Sequence, residues 1–276
     1  MARLVARDLA YSYDGARRAV DGATVTFDAG EWVALIGPNG SGKSTLLRLC
    51  AGLLEPATRA SSVTLDDTPL SALSSRDRAR KIALLPQFLP ALHEVRVRDF
   101  VLSGRYAHVR GERELSARDH AVVQAALERC DAAELAERGL HQLSGGQRQR
   151  ALVARALAQE AEVLLVDEPT TALDPEHQID ICELFAELAR SGRAIGVVTH
   201  DLVLASQYAT RCVVLDRGRV VRDGRPEDVL VPSVLAPVYG ADLHYGTLAP
   251  RAGEDGPRPL VLPRRRARPD QGNAST

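Results

Sequence analysis

Trp32-Val-Ala-Leu-Ile36 runs straight into Gly37-Pro-Asn-Gly-Ser-Gly-Lys-Ser-Thr45, which runs straight into Leu46-Leu-Arg-Leu49. The first stretch predicts a buried strand and the last an amphipathic helix. Glycines at such a junction let the backbone come close to a ligand without Cβ clashes, and successive N–H groups curving into a helix N-terminus make an anion cradle. The spacing Gly37-x4-Gly42-Lys43-Ser44 is the P-loop pattern. It predicts that Gly37, Pro38, Asn39, Gly40, Ser41, Gly42, Lys43, Ser44 and Thr45 wrap a nucleotide's phosphates, with Lys43 reaching the β and γ phosphates and Ser44 ligating Mg²⁺.

A second stretch supports the first. Glu162-Val-Leu-Leu-Val-Asp-Glu-Pro-Thr170 is another apolar strand, ending in two carboxylates. In open α/β sheets ligands bind at the carboxyl edge, so Asp167 is placed to hold Mg²⁺ and Glu168 to polarise an attacking water as general base. Read alone, the two acids would also suit a solvated strand end.

Composition sets the remaining bounds. With 276 residues, 45% hydrophobic and 26% charged, the chain reads as globular, with room for one large domain or two small ones. A net charge of -1 gives no field that would select nucleic acid as partner. Cys50, Cys130, Cys182 and Cys212 have no metal-ligand spacing and predict buried, reduced thiols. The N-terminus lacks the apolar core of a signal peptide, and no apolar run approaches the roughly 18 residues that span a bilayer.

Between the two strands lies Leu143-Ser-Gly-Gly-Gln147, opening the helix-like RQRALVARALA. Ser144 and Gln147 have the spacing of a capping box, so this stretch can be simply a helix start. With it, however, the chain resembles the ATP-binding-cassette ATPases over about residues 1–240, the motifs standing in the family's order. The resemblance implies a head-to-tail homodimer in which Ser144, Gly145, Gly146 and Gln147 of one copy close on ATP held by the P-loop of the other. It also implies roles for single residues. Tyr13, with Tyr11 as the neighbouring alternative, looks like the ring that stacks on adenine. Gln87, after the strand IALLP, looks like the glutamine that senses Mg²⁺ and the attacking water. Asp174 looks like the residue that crosses the dimer interface, although a helix N-cap before Pro175 is the plainer reading. His200, ending the strand IGVVT, looks like the histidine that bonds the γ-phosphate.

These landmarks imply an α/β fold: a P-loop NTPase core of mixed sheet flanked by helices, an N-terminal antiparallel β portion, and an inserted helical subdomain at about 88–155. The cassette is expected to span 1–247. Residues 248–276, rich in Pro and Arg, are expected to form a disordered tail whose Arg264-Arg265-Arg266 read first as a solvated charge cluster, with contact to anionic lipid as the alternative.

Weaker stretches, SGRYAH at 103–108 and DPEHQ at 174–178, resemble the ATPases of uptake systems for ferric siderophores, haem and vitamin B12. The resemblance implies a peripheral protein at the cytoplasmic face of the inner membrane, serving two integral-membrane permease subunits fed by an extracytoplasmic substrate-binding protein. Ferric siderophore import is the first expectation. Haem, cobalamin or another metal-chelate is the alternative cargo, and a non-transport cassette ATPase is the remote one.

Overall fold

The computed structural model describes residues 2–58, 60–87, 94–109, 115–240, 243–250 and 256–263. In chain order, β1 (Arg3–Ser12), β2 (Arg18–Asp28) and β3 (Trp32–Ile36) precede α1 (Lys43–Cys50). Then come β4 (Ser62–Leu65), β5 (Thr68–Pro69), α2 (Ser75–Lys81) and β6 (Ile82–Leu85). Three helices follow, α3 (Val97–Leu102), α4 (Ala117–Arg129) and α5 (Gly145–Ala158). The chain continues through β7 (Val163–Asp167), α6 (Pro175–Arg190), β8 (Ala194–Val198), α7 (Leu202–Tyr208), β9 (Arg211–Asp216) and β10 (Arg219–Gly224). It closes with α8 (Pro226–Val229), α9 (Pro232–Tyr239), β11 (Leu243–Leu248) and β12 (Arg258–Pro263).

The central sheet has the order β10-β9-β3-β8-β7-β6, parallel from β9 to β6 with β10 antiparallel at its edge. Its inner strands β3, β7 and β8 are buried along their whole length because both faces are covered, whereas the edge strand β10 is largely exposed. Trp32, Ala34 and Ile36 of β3 face a core shared with α3 to α6, while Val33 and Leu35 face a second core shared with α1 and the antiparallel sheet β2-β1-β4-β5. The same two-residue alternation divides Leu164 and Val166 from Val163 and Leu165, and Ile195 and Val197 from Ala194 and Val198. The mixed sheet and the N-terminal antiparallel portion agree with the sequence reading.

Between β6 and β7 the described residues form helices and turns, with one isolated antiparallel bridge between Arg96 and Gly139, and α3, α4 and α5 pack on one another. The helical stretch read as ending near 155 runs on to Ala158, because Ala156-Leu157-Ala158 continues the buried face of α5. Ser116 and Asp119 form a full capping box at the start of α4. The buried guanidinium of Arg105 ties the group together. It donates to Asp119 Oδ1 at 2.8 Å, to the Ala158 carbonyl at 2.7 Å and to Glu160 Oε2 at 2.8 Å, so a charge that burial would penalise is fully paired.

The C-terminal expectation needs correction. Leu243–Leu248 and Arg258–Pro263 pair as an antiparallel hairpin lying against α7, and Val261 is buried there. The buried Ser206 hydroxyl donates to the Pro259 carbonyl. Overall composition concealed the apolar Leu260-Val261-Leu262, and Pro259 and Pro263 sit in a two-stranded ribbon, where a missing N–H is tolerated. Arg264-Arg265-Arg266 lie outside the described residues.

Candidate active site

Four strands of the central sheet end together. Leu35 pairs with Val198, Asp167 with Val198, and Leu85 with Val166. Gly37, Gln87, Glu168 and His200 each follow one of these strands, so the sheet register alone gathers them at one carboxyl edge.

The loop after β3 requires its glycines. Gly37 has φ +147° and a Cβ there would stand 2.1 Å from the Leu215 carbonyl oxygen. Gly42, at the start of α1, has φ +102° and a Cβ there would stand 2.2 Å from the Ala19 carbonyl oxygen. The Lys43 side chain turns back along the loop, its Nζ donating to the carbonyls of Gly37 at 2.8 Å and Pro38 at 2.9 Å. Burial pushes its pKa down, and the carboxylates of Glu168 and Asp167 pull it back up.

Ser44 Oγ donates to Asp167 Oδ1 at 2.9 Å. Burial pushes the Asp167 carboxyl above the usual carboxylate range, the Ser44 hydroxyl opposes this, and nearby Glu168 adds to it. Glu168 is the hub. Its Oε1 lies 2.5 Å from His200 Nε2, while its Oε2 accepts from Gln87 Nε2 at 2.5 Å and from Thr171 Oγ1 at 3.3 Å. Its backbone has φ +51°, uncommon for a non-glycine residue, with its N–H held by the Val198 carbonyl at 3.1 Å. A carboxylate so aimed, beside a buried ammonium, can take a proton from water next to a phosphate held on the loop. Thr171 joins this hub without having been singled out in the sequence, since a threonine hydroxyl carries no distinguishing pattern.

Tyr13 is exposed, and its hydroxyl lies 3.3 Å from Thr45 Oγ1 and 3.5 Å from Arg48 Nη1. Tyr11 meets it edge-on at 5.0 Å but packs against the hydrophobic core. Tyr13 also lines an open groove with Arg17, Arg18, Gly40 and Arg217.

Two groups of expected residues stand apart from this cluster. Ser144 and Gln147 form the complete capping box of α5: Ser144 Oγ accepts from the Gln147 N–H at 3.2 Å, and Gln147 Oε1 from the Ser144 N–H at 3.1 Å. A Cβ on Gly145 would lie 3.5 Å from Ala172, and one on Gly146 would lie 3.4 Å from the Ala172 carbonyl, placing this turn beside the segment that leads to Asp174. Asp174 is the N-cap of α6, accepting from the His177 N–H at 3.0 Å. Among the described residues no hydrogen bond joins Ser144–Gln147 or Asp174 to Gly37–Thr45.

All four cysteines are free and buried, and burial raises each thiol pKa to about 12. Among the described residues no group of His, Cys, Asp and Glu suited to a protein-only metal cage was found, and no helix is long and apolar enough to cross a membrane.

Comparison with known proteins places this geometry. The family model described as "ABC transporter" matches residues 20–171, more than half the chain. The hemin import ATP-binding protein HmuV of Nocardia farcinica is 46% identical over 224 residues, covering 81% of this chain and 76% of that protein. The ferric enterobactin transport ATP-binding protein FepC of Escherichia coli is 37% identical over 275 residues, covering 99% and 98%. Among solved structures, the dimeric bacterial ABC transporter cassette MJ0796 superposes with a TM-score of 0.73 at 27% identity, covering 81% of this chain and 98% of that one. The chain belongs to the ABC transporter family and is one of its ATP-binding, ATP-hydrolysing members.

Proposed function

We propose that the chain is the motor subunit of an importer for ferric siderophores, working as a head-to-tail pair beneath two permease subunits at the cytoplasmic face of the inner membrane. The observation that carries the motor reading is the cluster of Lys43, Ser44, Gln87, Asp167, Glu168 and His200 at one sheet edge, with the Ser144–Gln147 turn and Asp174 outside its reach. One chain thus supplies a phosphate cradle and, elsewhere, an exposed helix N-terminus able to bind a second face of phosphate. A two-fold pair makes two complete sites from these halves.

Within each site, Tyr13 rather than the packed Tyr11 is placed to stack on adenine, and backbone N–H groups of Gly37–Thr45 are placed to hold the phosphates. The Ser44 hydroxyl and Asp167 carboxylate, with Gln87 beside them, are hard oxygen donors suited to Mg²⁺. That ion would neutralise phosphate charge. Lys43 supplies positive charge to the transferring phosphoryl group. Glu168 orients and deprotonates water, and His200, whose Nε2 rests on Glu168 Oε1, turns to bond the γ-phosphate once nucleotide is held on the loop. Both buried charges, Lys43 and Asp167, are disfavoured by desolvation, a cost that anionic phosphate and a cation would offset.

The cargo rests on likeness. The match to the ferric enterobactin relative runs over 99% of the chain, and so spans the stretch that forms the β11–β12 hairpin. A second reading, haem import, is favoured by the higher identity of the hemin import relative over 81% of the chain. Reconstitution in liposomes with candidate permease subunits tests both. ATP-dependent uptake of a ferric siderophore supports the proposal, uptake of haem alone selects the second reading, and outward movement of substrate refutes import.

A further inference from the structure

The motif DPEHQ contributes one side chain that the site above does not use. His177 Nδ1 lies 2.7 Å from Asp174 Oδ1, the oxygen that also accepts the His177 backbone N–H at 3.0 Å. On its other side, His177 Nε2 lies 3.1 Å from Nη1 of Arg150, in the second turn of α5. The same Nη1 is paired with Asp131, just past the end of α4.

These partners fix the imidazole's protons. The hydrogen bonds from His177 hold the Asp174 carboxyl below the ordinary range, so it is a carboxylate and accepts only. Nδ1 must therefore carry hydrogen. A guanidinium only donates, so Nε2 must present its lone pair. A hydrogen on Nδ1 and a lone pair on Nε2 together satisfy both neighbours.

We infer that His177 is a positioning residue that couples Asp174 to α5, the helix whose first turn is Ser144–Gln147. Arg150 stands six residues after Ser144, about 9 Å along the same helix, so the two move as one body. At the other end Gly146 lies against Ala172, two residues before Asp174. The loop from Ala172 to His177 is thus pinned to α5 at two points, one by close packing and one by the imidazole bridge. Without that bridge the 61% exposed Asp174 side chain keeps only its N-cap bond, and closure of α5 on a second copy no longer sets its direction. This inference rests on the reading that both surfaces meet a second copy.

The test uses full-length protein carrying His177→Leu, His177→Asn, which keeps a donor for Asp174, or His177→Gln, which keeps an acceptor for Arg150. Three quantities are measured: binding of a fluorescent ATP analogue, steady-state kcat and KM, and ATP-driven pairing in a Glu168→Gln background. The expected result for His177→Leu is nucleotide affinity and KM within about twofold of wild type, with kcat and the pairing constant each lowered about tenfold. Asn and Gln should each recover part of the loss. Unchanged kcat and pairing would overturn the inference, as would a loss of nucleotide affinity parallel to that of kcat, or no recovery by either polar variant. If Glu168→Gln with native His177 fails to pair on ATP, the underlying reading falls and takes this inference with it. If that parent pairs and His177→Leu pairs equally well, the inference alone falls.

Discussion

Replacing Glu168 by glutamine changes one oxygen to an amide and nothing in volume. Yet Glu168 accepts on both oxygens, from His200 on one side and from Gln87 and Thr171 on the other, and the amide nitrogen cannot accept. Roughly one hydrogen bond is lost, worth about 1 kcal/mol. Against this, a negative charge disappears from beside Asp167, whose carboxylate Glu168 disfavours. The two effects oppose each other, so the melting temperature should move by no more than about 4 °C. The chemical effect is much larger. Loss of a general base lowers kcat by about 10²- to 10⁴-fold, or about 3 to 5 kcal/mol of barrier. ATP affinity should stay within about threefold, because Glu168 contributes no positive charge to the phosphates. Phosphate release under saturating Mg-ATP, with calorimetric binding and a thermal melt on the same preparation, measures all three. A kcat within about fivefold of wild type would refute the assignment of the base, and a collapse in affinity or stability would show that the residue acts through structure.

Asp167 gives a prediction with a definite sign in pH. Its folded-state pKa is raised, so the native protein binds a proton more readily than the unfolded chain, and stability from this group falls as pH rises through the window above the ordinary carboxylate value. Without magnesium, wild type should therefore lose stability relative to Asp167→Asn between acidic and neutral pH, as read by calorimetry at several pH values, and the variant should lose hydrolysis. Tyr13→Ala should weaken ATP binding about tenfold through lost stacking. Tyr11→Ala, removing a ring packed on the core, should lower the melting temperature instead. Arg105→Ala strands the carboxylates of Asp119 and Glu160 in a half-buried setting and should cost about 3 kcal/mol of unfolding free energy in denaturant titration. Arg118→Ala, an exposed neighbour of the same Glu160, should cost under about 1 kcal/mol.

What was legible in the sequence was whatever depends on short-range order. Strands β3, β7 and β8 are continuous apolar runs, and each ends in a residue of distinctive chemistry, so their shared sheet edge followed from their pattern. The capping box of α5 and the Asp174 N-cap of α6 were readable because a cap is a three-residue relation. Contacts between distant segments were not. Nothing in Ser103–His108 says that Arg105 would be buried between Asp119 and Ala158, and nothing near Arg150 names His177 as its neighbour 27 positions on. The C-terminal hairpin was missed for a different reason. Prolines and arginines outweighed three apolar residues in the composition, whereas the fold needed only Val261 to enter the core and the α7 surface to receive it.

The central claim is that each hydrolytic site is shared between two copies. Sedimentation of the Glu168→Gln protein with and without Mg-ATP, repeated with Ser144→Arg in the same background, tests it most directly. The account predicts monomers without nucleotide, dimers with it, and monomers again when the arginine blocks the first turn of α5 while nucleotide binding persists. Glu168→Gln protein that binds ATP but stays monomeric, or a dimer indifferent to Ser144→Arg, would contradict it.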